Sequence, residues 1–104
     1  MKMTQEFKTQ TLGFAGTICE VWREKYANGQ NCLRLVDSED GFTFCTASVA
    51  LEHEMVNIDE NDVIIKNYSE NEGILTALIN AGIIEEPHRA FSYNYVTLYV
   101  CKLK

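Results

Sequence analysis

The sequence predicts an α+β fold: an antiparallel sheet of about four to five strands with one main helix, about residues 70–80, packed on one face. Three observations carry this. Asn28-Gly29 separates two runs of strand-forming residues, and Asn-Gly is the strongest two-residue hairpin signal because both residues tolerate positive φ. "SENEGILTALINAGII", starting at Ser69, places apolar residues at helical spacing and ends on Gly82. "YVTLYVCKL", starting at Tyr95, alternates as a strand does.

Residues 1–10 are polar, and loose order is expected for them. "TICEVWREKY", from Thr17, forms the first strand of the hairpin. A two-residue turn at Asn28-Gly29 pairs Tyr26 with Asn31, Glu24 with Leu33 and Trp22 with Leu35. Trp22, Leu33 and Leu35 then share the core face, and Val21 and Val36 the half-wet one. "DSEDG" makes a second turn, after which "FTFCTASVAL" returns with Phe42 and Phe44 joining the core beside Trp22. Residues 52–62 are an acidic loop, and Val63, Ile64 and Ile65 form a short β-branched strand.

Ser69 and Glu72 have the S-x-x-E spacing of a capping box, in which the serine oxygen accepts from a free backbone N–H and the glutamate reaches back to the cap. Gly82 fits the left-handed position after the helix, with Ile83 as its apolar follow-on and Pro87 as a stop. The box does not explain Gly73, which costs up to about 1 kcal/mol inside a helix. A glycine there suggests close approach by another backbone, a side chain or a ligand. In the last strand Val96, Leu98 and Val100 face the core, and Tyr93, Tyr95 and Tyr99 form a stripe that packs inside the monomer or meets a partner.

The chain has 104 residues, 46% hydrophobic and 23% charged, which suits a single domain over residues 1–104. It carries no export signal and no membrane-length apolar run, so it is expected in the cytoplasm. Cys19, Cys32, Cys45 and Cys101 form no C-x-x-C pair and are expected as buried free thiols. His53 and His88 lack the helical metal-ligand spacings. No catalytic residue, metal or cofactor is therefore assigned, and the chain is read as not an enzyme.

Charge is the most uneven property. The net charge is −6, and residues 52–72 hold Glu52, Glu54, Asp59, Glu60, Asp62, Glu70 and Glu72 against Lys66 alone. That sign opposes direct nucleic-acid binding, whose affinity comes mostly from cationic contacts to phosphate. It suits a protein partner with a basic surface, since complementary charge raises association rate and specificity. These seven acids, with Tyr95 and Tyr99 as aromatic anchors, are the candidate partner-binding residues.

The run from Val63 to Gly82, centred on Ile65-Lys66-Asn67-Tyr68-Ser69-Glu70-Asn71-Glu72-Gly73 and followed by Pro87 and Cys101-x-Leu103, resembles a family of small uncharacterised proteins of phages and conjugative elements of gut bacteria. That resemblance covers about forty residues and carries no catalytic residues with it. It implies a non-enzymatic protein-binding module of a phage or mobile element, including the acidic inhibitors of host defence nucleases of the anti-CRISPR or anti-restriction type. Two other readings stay open. One is a small-molecule-binding or accessory enzyme domain with a pocket at the helix start; the other is a structural protein that self-assembles through its tyrosine face.

Overall fold

The computed structural model describes residues 7–52 and 54–104, and side chains for residues 11–52 and 54–104. Residues 1–6, part of the stretch expected to be loosely ordered, and His53 lie outside the described residues. Residues 7–10 belong to a strand, contrary to expectation: β1 (Phe7–Phe14) pairs with β2 (Thr17–Lys25) across a tight turn at Ala15-Gly16. Both turn residues have positive φ, 52° and 81°, the geometry whose twist matches that of paired strands.

β2 pairs with β3 (Asn31–Asp37), and the register differs by one residue from the one expected. Lys25 pairs with Asn31, Trp22 with Arg34 and Val21 with Leu35. The cause is local. Gly29 N–H donates to Tyr26 O at 2.9 Å and Tyr26 N–H to Gln30 O at 2.8 Å, so the loop holds Ala27, Asn28 and Gly29, with Gly29 at φ 89°. This is the three-residue hairpin loop with a left-handed glycine. One extra loop residue shifts β2 by one position against β3 and exchanges the two faces of β2, while Leu33 and Leu35 keep the core face expected for them. Val21, Leu33 and Leu35 are completely buried, while Trp22 lies on the outer face under the Arg34 guanidinium, 6.0 Å from the ring centroid. Glu24 binds that guanidinium through both carboxylate oxygens.

β4 (Thr43–Thr46) completes the first sheet, order β1-β2-β3-β4. Cys45 stands opposite Leu35 and Thr43 opposite Val36, so Phe44 is an extra residue at a bulge. Phe42 and Phe44 are thereby kept out of the core expected for them: they are 73% and 38% exposed. Directly after β4 the chain crosses to a second sheet, β5 (Ser48–Val49), β6 (Asp62–Lys66), β7 (Arg89–Tyr93) and β8 (Val96–Lys102), order β5-β6-β8-β7. Ala47 is the crossing point. Its N–H donates to Leu33 O and its carbonyl accepts from Lys66 N–H, both at 2.9 Å. Ser48 Oγ takes the next N–H of β3, that of Leu33, at 3.0 Å. The fold is thus α+β, with two four-stranded antiparallel sheets and a small helix packed on sheet.

The helix α1 (Ile74–Asn80) is preceded by a 3-10 turn, Ser69–Asn71. The capping box does not form. Ser69 sits at φ 55° inside the 3-10 turn, no side chain caps from there, and Gly73 at φ 94° separates the turn from α1. Asn67 does the capping: its Oδ1 accepts from Gly73 N–H at 3.1 Å and Leu75 N–H at 2.9 Å. At the other end, Ile83 N–H reaches Leu78 O and Gly82 N–H reaches Ile79 O, both at 3.0 Å, with Gly82 at φ 77°. That is the Schellman closure.

Ile74 and Leu78 of α1 join Val21, Leu33, Leu35, Val63, Ile65 and Cys101 in the main core between the sheets. A second cluster, Leu51, Val56, Ile64 and Leu98, lies on the opposite face of the second sheet. Leu51, Val56 and Ile58 of the segment before β6 cover that face, so β6 is buried on both sides and reads as a continuous apolar run.

Candidate functional site: acidic segments and displayed aromatic residues

The acidic stretch does not form one patch. Residues 50–61 carry Glu52, Glu54, Asp59 and Glu60, all solvent-facing, together with Met55, 51% exposed. The loop is long, and loops of this length without secondary structure are usually either functional or disordered. This one is ordered by identifiable contacts. Leu51 and Val56 plug into the second cluster. Leu51 N–H donates to Gln30 Oε1 and Asn28 Nδ2 donates to Leu51 O. Arg89 Nη1 holds Asn57 O at 3.0 Å, and Asn31 Nδ2 holds Glu60 O at 2.7 Å. The acids therefore stand on a fixed platform.

Asp62 is not a surface acid. Its side chain is 3% exposed. Oδ1 lies 3.0 Å from His88 Nε2 and Oδ2 accepts the Asp59 N–H at 3.0 Å. Lys102 Nζ is 3.7 Å away. Burial pulls the carboxyl pKa upward, but the Asp59 amide, His88 and Lys102 outweigh it and hold the group below its ordinary value. Asp62 is a structural anion, removed from the candidate contact set.

Glu70 and Glu72 are exposed but follow the far end of β6, separated from the loop acids by the length of that strand. Lys66 Nζ lies 3.9 Å from Glu70. The tyrosines also separate. Tyr99 is half-buried against the main core, and Tyr93 packs on the second cluster. Tyr95 is fully exposed at the tip of the β7–β8 hairpin. Asn94 and Tyr95 have φ of 50° and 70°, so a bulky residue occupies a position that favours glycine.

Phe42 and Phe44 were not among the candidates, because alternation from Trp22 assigned them to the core. Only the bulge reveals them, and no turn residue marks it. Phe44 stands beside Phe14, and the two rings meet edge-on at 6.5 Å. Gly73 adjoins the same place, where an added Cβ would lie 3.9 Å from the Phe14 ring, an ordinary contact. Gly73 is therefore explained by its left-handed φ. Clefts of about 420 Å³ beside Arg23, Lys25 and Lys104, about 360 Å³ beside Ile18 and Asp37, and about 220 Å³ beside Gly29 and Asp59 have neither Gly73 nor Phe14 in their walls, and Glu60 lines the first and the third.

Cys19, Cys32 and Cys101 are buried, Cys45 half-buried, and all four are free. Burial, with a smaller push from Asp62, raises Cys101 to about 12. Burial first, then Cys19 and Glu70, raises Cys45 to about 11 despite Lys66. Neither is a thiolate at neutral pH, so neither is primed as a nucleophile. Among the described residues no group of three His, Cys, Asp or Glu could hold a metal ion, and no helix is long and apolar enough to cross a membrane.

No protein-family model, curated protein or solved structure matches this chain.

Proposed function

We propose that this chain is a non-enzymatic protein-binding module of a phage or mobile element, acting in the cytoplasm as an acidic inhibitor of a host defence nuclease. One observation carries the reading: Glu52, Glu54, Asp59 and Glu60 project from a loop whose backbone is pinned by Gln30, Asn28, Arg89 and Asn31. A pinned loop presents carboxylates with little ordering entropy left to lose on binding. Nucleases hold nucleic acid in basic channels, and carboxylates on a pinned backbone offer such a channel the negative charge of phosphates, with Asp59 sharing part of its charge with Lys102 Nζ at 3.8 Å. The partner is then a nucleic-acid-handling protein with a basic surface.

The test is binding of the immobilised chain to a panel of purified restriction and CRISPR nucleases, from low to high salt. Association with at least one that weakens steeply as salt rises supports the reading. Binding to none, or binding indifferent to salt, contradicts it.

A further inference from the structure

The acids at the far end of β6 have different company from those of the loop. Phe42 is 73% exposed and Phe44 38% exposed, separated in sequence by Thr43 alone, and the Phe44 ring meets the Phe14 ring edge-on at 6.5 Å. Exposed phenylalanines on an ordered segment are informative in a way that scattered surface leucines are not. The segment is ordered. Asp37 Oδ1 accepts from Glu39 N–H at 2.8 Å, Asp40 Oδ1 accepts from Phe42 N–H at 2.9 Å, and Phe42 O accepts from Asp37 N–H at 2.9 Å.

Two acidic segments bracket the rings. On one side is the turn that carries Asp37, Glu39 and Asp40, with no base between Val36 and Phe42. On the other are Glu70 and Glu72, brought alongside because Asn71, fully buried between them, donates from Nδ2 to Thr46 O at 2.8 Å. The adjoining cations are engaged: Lys66 by Glu70, and Arg34 by Glu24 and Thr43.

We infer that this aromatic lip is a docking surface for a protein segment that sets an apolar side chain between lysines or arginines. The apolar side chain covers Phe42 and Phe44, and the flanking cations meet Asp40 and Glu39 on one side and Glu70 and Glu72 on the other. Aromatic anchors ringed by polar groups are the usual energetic centre of an interface, and the charges exclude segments of the wrong sign. The inference rests on the protein-binding reading and names the place and chemistry of the contact.

The experiment is a titration of the isotope-labelled full chain with an amphipathic Lys/Leu peptide and with its Glu/Leu counterpart, followed by amide chemical shifts. The Lys/Leu peptide is expected to move the amides of Phe42, Phe44, Cys45, Glu70 and Glu72 saturably, and the Glu/Leu peptide to leave them in place. Phe42→Ser, at a site exposed enough to leave the fold intact, weakens the affinity about tenfold or more. Glu70→Lys combined with Glu72→Lys does the same without touching an aromatic ring. Shifts confined to residues 50–61 would overturn the lip while sparing the acidic-module reading. Equal response to both peptides would overturn the charge argument for both sites. Shifts at the lip that track protein concentration without peptide would assign it to a second copy of this chain and overturn the inference.

Discussion

The imidazole of His88 stands 3.0 Å from the carboxylate of Asp62, joining the start of β7 to the start of β6. The carboxylate is buried and the imidazole half-exposed, so the pair spans β8 at the end of the second sheet where the acidic loop enters it. Asp62 has its folded pKa lowered from 3.8. A group depressed in this way contributes stability above its unfolded pKa and loses it as pH falls through the folded value.

Asp62→Asn is therefore expected to lower stability at neutral pH by about 1–3 kcal/mol, the cost of disturbing a buried, hydrogen-bonded group. The difference from the unmodified chain should shrink as pH falls from 3.8 through the lower folded value, beneath which both chains carry a neutral side chain. Urea unfolding of the two proteins at neutral and acid pH measures it.

The register of β2 against β3 gives a second pair of outcomes. Leu35 is completely buried and Phe42 largely exposed. Leu35→Ala should cost about 2–5 kcal/mol. Phe42→Ser should change stability by no more than about 0.5 kcal/mol. Thermal unfolding of both variants separates this arrangement from one in which Phe42 fills the core.

At the helix start, Asn67→Ala removes the acceptor for two backbone N–H groups and should cost about 1 kcal/mol. Ser69→Ala should be nearly neutral, because no side-chain cap bond is lost there. Gly73→Ala should cost roughly 1–2 kcal/mol through its left-handed φ alone, since the new methyl would meet Phe14 only at 3.9 Å. Chemical denaturation of the three variants reads the ranking directly.

Tyr95 holds a left-handed φ of 70° with its side chain in solvent. Tyr95→Gly should stabilise the hairpin by roughly 0.5–1 kcal/mol. If Tyr95 anchors a partner, the same change weakens binding, so one substitution separates stability from function. Melting temperature and partner affinity are the two readouts.

Much of this fold was legible because local and tertiary signals agreed. Ile74 and Leu78 repeat at helical spacing, Gly82 and Ile83 end the helix with the expected hydrogen bonds, and the β-branched run at Val63 is a strand. The register of the hairpin was not legible, because Asn28-Gly29 also fits a three-residue loop, and one residue decides whether Trp22 or Val21 is inside. The crossing at Ala47 was hidden in an unbroken strand-like run, with only a small side chain to mark it. The capping box misled because Ser69 and Glu72 have the right spacing, whereas Gly73 delays the helix and passes the role to Asn67. Of the candidate contacts, the charges were legible from composition. The burial of Asp62 and the exposure of Phe42 depend on long-range pairing, which a list of residues does not contain.

The central claim is that carboxylates on a pinned loop let this protein occupy a basic surface on a host nuclease. Target cleavage by a panel of defence nucleases, measured with increasing amounts of the unmodified chain and of the Glu52→Lys, Glu54→Lys, Glu60→Lys triple variant, tests it most directly. The account predicts dose-dependent loss of cleavage with at least one nuclease and its restoration by the triple variant, with the unfolding transition of the variant unchanged. Equal inhibition by both proteins, or none across the panel, would contradict it.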